Sequence, residues 1–239
     1  MATIFTAWQG VLTRMAKAAQ AAGRSPESVH LLAVGKTFPA ESIRELHGCG
    51  QRAFGENYVQ ELTTKARELA DLPGLAWHFI GPLQSNKTRH VAEIAAWVHT
   101  VDRLKIAERL AAQRPESLPP LNVCIQVNVS GEASKSGVEP KAASALAHAM
   151  AALPRLRLRG LMCIPEPTGD DERLRAQFAT LAALKQQLER EGLVLDTLSM
   201  GMSADLDLAI REGATIVRVG TALFGARTYN SNQDQGIPG

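Results

Sequence analysis

Lys36 stands where a reactive amine would be useful. It follows Val29, Leu31, Leu32, Ala33 and Val34, an apolar run of strand length closed by Gly35 and Pro39. Such a run suits a parallel strand covered on both faces. A lysine at its carboxyl end lies on the edge where α/β enzymes keep their chemistry. Partial desolvation there would weaken the preference for the ammonium form and leave an amine nucleophile. The alternative is an ordinary solvated strand-end lysine. Two other segments offer complementary groups. Ser199-Met200-Gly201-Met202-Ser203 joins a glycine, which lets an anion approach the backbone, to a hydroxyl donor before a helix with free N–H groups. Gly220-Thr221 repeats a bare backbone beside a hydroxyl. Each is the composition of an anion cradle, or of a plain capping or strand-end turn. Arg218 lies among the β-branched residues Thr215, Ile216, Val217 and Val219. Pointing inward it needs an acceptor, either a core carboxylate or a ligand atom.

The elements that would position these groups alternate along the chain. Phe5, Trp8, Val11, Leu12 and Met15 recur at helical spacing and predict a first helix over residues 3–22. Strands are expected at 29–35, 52–55, 77–81, 97–101, 121–129, 156–165, 195–203 and 215–225, with helical segments between them. Ser85 and Asp102 are the expected caps of the helices after the third and fourth strands. Eight strands alternating with helices in 239 residues, with no dividing linker, fit an α/β fold: a single (β/α)8 TIM-type barrel with an N-terminal helix. A doubly wound open sheet is the alternative, and short, evenly spaced strands favour closure. The barrel is expected over residues 1–229, and the polar tail 230–239 is expected to be disordered. In a barrel the strand ends share one mouth. That mouth would gather Lys36, Glu56, Asn57, Gln84, Asn86, Asn128, the 199–203 segment and Arg218 to Thr221.

Composition narrows the function classes. Twenty-six basic against 24 acidic residues leave a formal charge of +2, too small a field to suggest nucleic-acid or anionic-membrane binding. Cys49, Cys124 and Cys163 are odd in number and far apart, which supports neither a disulfide framework nor a zinc site. No segment is apolar enough to span a membrane, and the N-terminal stretch lacks the apolar region of a signal peptide, so a cytoplasmic protein is expected. His78 and His99 read as hydrogen-bonded core residues rather than metal ligands. Lys65, Arg67, Lys185 and Arg190 read as solvated helix charges, and Trp8, Trp77 and Trp97 as packing residues.

A lysine amine, an anion site in the last two loops and an arginine between them match pyridoxal 5'-phosphate (PLP). The stretches AVGKTFP, FGENYVQE, WHFIGPLQSNK, VNVSGEASKSG, LRGLMCIP, LSMGMSADLDLAI and VRVGTALFGAR resemble those of the pyridoxal phosphate homeostasis protein family. That family is similar to the N-terminal barrel of alanine racemase, the fold type III class of PLP proteins. The resemblance runs from about residue 6 to residue 229. It implies that Lys36 carries PLP as an aldimine, that Ser203, Gly220 and Thr221 hold the phosphate, and that Arg218 faces the pyridine nitrogen. Asn57 and Met200 are implied as further neighbours of the cofactor.

The function implied is PLP binding in vitamin B6 homeostasis without robust catalysis. The alternatives are a PLP-dependent amino-acid racemase or related enzyme, and a PLP-free Schiff-base aldolase, which leaves Arg218 unexplained. An arginine opposite the ring nitrogen weakens the ring as an electron sink. Alanine racemase also draws a catalytic tyrosine from a second domain, and none is expected in a sequence that stops after its eighth strand. Tyr58 is expected to pack its ring on the barrel rather than act as a base. A monomer is expected, with PLP as ligand and PLP-requiring apo-enzymes as recipients.

Overall fold

Eight parallel strands close into a ring in the computed structural model, which describes residues 3–131 and 136–225. They are β1 (His30–Val34), β2 (Ala53–Glu56), β3 (Ala76–Phe79), β4 (Trp97–Val101), β5 (Leu121–Gln126), β6 (Leu156–Met162), β7 (Thr197–Met202) and β8 (Ile216–Val219). Pairing of β1 with both β2 and β8 completes the barrel and rules out the open doubly wound sheet. Around it lie α1 (Ile4–Ala21), α2 (Ala40–Gly48), α3 (Val59–Glu68), α4 (Thr88–Ile94), α5 (Leu104–Gln113), α6 (Pro140–Ala151), α7 (Asp171–Arg190), α8 (Leu206–Arg211) and α9 (Thr221–Phe224). The tail 230–239 and Tyr229 lie outside the described residues. No helix among the described residues is long and apolar enough to cross a membrane.

Strand alternation divides the side chains into two cores. Leu31, Ala33, Val217 and Val219 point outward into the large core shared with the helices. Leu32, Val34, Ile80 and Ile216 form a small separate cluster. Residues of β1 and β8 and Ile80, just past the end of β3, meet there because all of them point into the barrel. Arg218 lies two residues after Ile216 and so shares its inward side.

Several boundaries differ from the sequence-based expectation. The eighth strand stops at Val219, and Thr221–Phe224 is a short helix closed by the Gly225 N–H on the Thr221 carbonyl. Ser85 opens a 3-10 turn of Ser85–Lys87 and caps nothing. Asp102 pairs with the Arg103 guanidinium at 2.7 Å instead of capping α5. Among the described residues, helix N-termini are capped by side chains at Thr3 on α1 and Asp170 on α7.

Candidate functional site

Lys36, Asn57, Ser203, Arg218, Gly220 and Thr221 line one cavity of about 270 Å³ at the carboxyl ends of the strands. Val34, Ile80, Ile164 and Met202 supply its apolar walls. Six of the seven expected site residues thus converge. Met200 does not: it is wholly buried in the outer core, and Met202 takes the place at the cavity. The cause is a break in alternation, where the β7–β8 register shifts between Ser199 and Met202. Gly201 sits in this irregularity at φ 93°, and a Cβ there would come within 2.5 Å of the Ala209 side chain. Only glycine fits.

Lys36 is half-buried and directly follows β1. Its loop is tied to the last one, since Phe38 stacks on Phe224 of α9 with ring centroids 4.9 Å apart. Ser203 is anchored from the N-terminal helix, where Arg14 donates to the Ser203 carbonyl at 2.7 Å and to Asp207 Oδ2 at 2.9 Å. Asp205 accepts from the Met202 N–H and closes the same turn. Burial raises the Asp205 carboxyl above its usual range.

Arg218 is buried, and burial lowers its pKa from the usual arginine value. It forms no ion pair with a carboxylate among the described residues. Its guanidinium donates to the Ser199 carbonyl at 2.7 Å, the Ser199 hydroxyl at 3.0 Å and the Cys163 carbonyl at 2.8 Å. Three of its five N–H groups are thereby used. The chain continues inward: Ser199 Oγ lies 2.8 Å from His99 Nδ1, and His99 Nε2 lies 2.9 Å from His78 Nδ1. Desolvation pushes His78 down to about 3 and His99 well below its normal value, so both rings are neutral. They are hydrogen-bonded core histidines as expected, and no cluster of His, Cys, Asp and Glu among the described residues is arranged to hold a metal.

Three residues behave differently from their sequence expectation. Lys65 is buried, and its ammonium donates to the Gly35 carbonyl at 2.9 Å, Glu56 Oε1 at 2.8 Å and Glu61 Oε2 at 2.7 Å. Its spacing from Leu62 and Leu69, both buried, was the available signal: the three share one helical stripe. Tyr58 is 56% exposed instead of packed on the barrel. It lines an adjoining cavity with Gln84, Lys87 and His90, which shares Asn57 with the first. Glu56 turns away from the mouth into the helix layer.

The donor set suits a small, flat, anionic aldehyde. Ser203 and Thr221 bring hydroxyls that could serve an anion, Arg218 a cationic donor, Lys36 an amine, and Val34, Ile80, Ile164 and Met202 apolar surface for a ring. Asn57 lines the cavity, and its Oδ1 is buried without a hydrogen-bond partner. Pyridoxal phosphate fits these features.

The family model for "Alanine racemase, N-terminal domain" matches residues 12–228. The chain is 62% identical over 231 residues to the pyridoxal phosphate homeostasis protein of Pseudomonas aeruginosa, covering 97% of this chain and 99% of the relative. It is 54% identical over 226 residues to that of Escherichia coli, covering 92% and 95%. Among solved structures, PipY of Synechococcus elongatus with PLP bound aligns at a TM-score of 0.79 and 41% identity, over 88% of this chain and all of that one. Alanine racemase from Corynebacterium glutamicum aligns at 0.66 with 17% identity, over 92% of this chain and 62% of that one, a likeness of fold. The chain therefore belongs to the alanine racemase N-terminal domain family and, within it, to the pyridoxal phosphate homeostasis proteins.

Proposed function

We propose that this chain binds pyridoxal 5'-phosphate through Lys36 and serves PLP homeostasis as a carrier, without substantial turnover of its own. The observation that carries the proposal is the convergence of the Lys36 amine, the Arg218 guanidinium and the Ser203 and Thr221 loops on one cavity. It is supported by relatives named pyridoxal phosphate homeostasis protein and by a PLP-bound PipY structure.

When bound, PLP supplies an aldehyde that amines add to reversibly and a ring that delocalises negative charge. Lys36 would hold the aldehyde carbon from its half-buried place directly after β1. Ser203 and Thr221 would donate to the phosphate, with Arg14 keeping the Ser203 turn in place. Arg218 would donate to the ring nitrogen. Fixed by two carbonyls and a hydroxyl, its cation resists protonation of any base facing it. Weak electron withdrawal by the ring follows, which favours carriage over carbanion chemistry. Tyr58, the tyrosine nearest the mouth among the described residues, lines the adjoining cavity and is not a wall of this one. That also favours the carrier over the racemase.

The proposal extends to a monomer with an accessible mouth, PLP-requiring apo-enzymes as recipients and a cytoplasmic setting. The cytoplasmic setting is supported by Cys49, Cys124 and Cys163 standing as free thiols. Purified protein should carry a visible band that borohydride bleaches, with the fixed adduct on Lys36. It should turn over neither enantiomer of alanine at the roughly 1–1,000 per second usual for enzymes. A colourless protein indifferent to added PLP, or rapid racemisation, would overturn the proposal.

A further inference from the structure

The two peptide groups flanking Lys36 are both gripped by side chains from behind the strand. The Gly35 carbonyl accepts from Lys65 Nζ at 2.9 Å. The Thr37 N–H donates to Glu61 Oε2 at 2.8 Å. Thr37 has φ 68°, a left-handed conformation unusual for a β-branched residue and one that neighbouring structure must impose. Glu61 and Lys65 face each other one turn apart on α3, at 2.7 Å, and Lys65 also bonds Glu56 Oε1 at 2.8 Å. The three donors of the ammonium are thus all used. Gly35 makes room for the cluster, because a Cβ there would sit 2.8 Å from Glu56 Oε1.

A buried lysine between two carboxylates is a poor device for stability, since desolvation offsets most of its attraction. This one ends on the backbone on each side of Lys36. Glu56 and Lys65 lie outside the cavity, so they act on it only through what they hold. We propose that Glu56, Lys65 and Glu61 form a positioning cluster that fixes the Gly35–Thr37 backbone and so aims the Lys36 amine into the cavity. The inference deepens the PLP reading and rests on it for the ligand, though not for the geometry. Burial raises the Glu56 carboxyl above its usual range, which reduces the negative charge packed around Lys65.

Glu61 is the member to vary, since it is partly exposed and its variants should fold. Glu61→Ala removes the acceptor for Thr37, and Glu61→Gln keeps an oxygen that can accept from it. Two readouts are taken on each. The first is the rate at which PLP forms a borohydride-fixable adduct on Lys36, beside the affinity for pyridoxine 5'-phosphate, which shares the phosphate and ring but lacks the aldehyde. The second uses the protein without PLP: acetylation of Lys36 by acetic anhydride against pH, followed by peptide mass spectrometry. Glu61→Ala is expected to slow loading about tenfold, the worth of one hydrogen bond to a charged group. It should also shift the acetylation profile of Lys36 while pyridoxine 5'-phosphate still binds as in the wild type. Glu61→Gln should restore both readouts most of the way. Wild-type loading and acetylation in Glu61→Ala would overturn the proposal, as would equal loss of loading and pyridoxine 5'-phosphate binding. If the wild-type protein forms no Lys36 adduct, the PLP reading fails, and the acetylation profiles still decide the cluster.

Discussion

The Arg218 guanidinium donates to both the carbonyl and the hydroxyl of Ser199, at 2.7 and 3.0 Å. Both N–H groups of one guanidinium nitrogen are thereby bound to the barrel wall, and the Ser199 hydroxyl links them to a second buried group, His99. A single direction runs from Arg218: the Ser199 hydroxyl accepts from the guanidinium and its O–H donates to His99 Nδ1, and the His99 Nε2–H donates to His78 Nδ1. His78 in turn stacks on Trp97 at an interplanar angle of 7°. The column orients the one cation in the cavity wall that lies wholly inside the barrel.

Arg218→Ala is therefore expected to act on both affinity and electronics. Loss of a hydrogen bond to a charged group costs about 1.5–3 kcal/mol, which weakens PLP binding by roughly one to two decades. The spectrum at saturation should also change, because the ring nitrogen is freed to protonate. Ser199→Ala leaves both carbonyl contacts of Arg218, so its PLP affinity should stay within about tenfold of wild type. Its stability should fall by about 1–3 kcal/mol, because His99 Nδ1 loses its buried partner. Titrations followed by absorbance, with urea unfolding alongside, check both. An Arg218→Ala protein with wild-type affinity and spectrum would make the arginine purely structural.

Ser203→Ala and Thr221→Ala test the phosphate side. Each removes one donor to a dianion and should weaken PLP by roughly one to two decades. Neither should alter the spectrum once saturated, since neither is assigned to the ring. A spectral change in either would place that hydroxyl against the ring and exchange the two halves of the site.

How far this was readable from sequence depended on the range of each interaction. Lys36 and Arg218 announced themselves locally, through the apolar runs that lead to them. The order of strands and helices followed from the same periodicity. The end of β8 was misjudged because Thr221–Phe224 continues an apolar strand-like composition, and four helical residues are too few to show a helical period. Met200 and Met202 exchanged places because a bulge breaks the alternation that sequence patterns assume. Lys65 was missed although its helical spacing pointed inward, because a lysine is rarely buried without a partner. That partner, Glu56, is supplied by another element. The Ser199–His99 bond joins residues 100 positions apart, a pairing that only the closed barrel creates.

Gly201 marks how closely the anion loop is fitted. Its φ of 93° and the absence of room for a Cβ predict that Gly201→Ala strains the backbone and pushes against Ala209. A loss of about 1–3 kcal/mol is expected, together with weaker PLP binding, because Met202 and Ser203 follow directly. Thermal unfolding with and without PLP checks it. A wild-type melting temperature would show that the loop relaxes freely, and its role as a fixed cradle would fall.

Acid should destabilise the protein through the histidine column. His78 titrates at about 3 in the fold and His99 well below 6.5, against about 6.5 for both in the unfolded chain. Below pH 6.5 the unfolded state binds protons that the folded state refuses, so stability is lost as pH falls, by about 1.4 kcal/mol per pH unit for each histidine. Glu56 works in the opposite direction. Burial lifts it to about 7 from 4.5, so the folded state takes up a proton before the unfolded one, and stability is gained as pH falls between those values. From pH 6.5 to 4.5 the two histidines and one carboxyl leave a net loss worth about one proton. Below 4.5 this carboxyl no longer offsets them and the slope steepens. His78→Gln should flatten the upper segment by about one proton, and Glu56→Gln should steepen it by about one. Urea unfolding at a series of pH values measures these slopes directly. An unchanged slope in His78→Gln would mean that a histidine of the column is charged inside the barrel, and the single-direction chain from Arg218 to His78 would have to be redrawn.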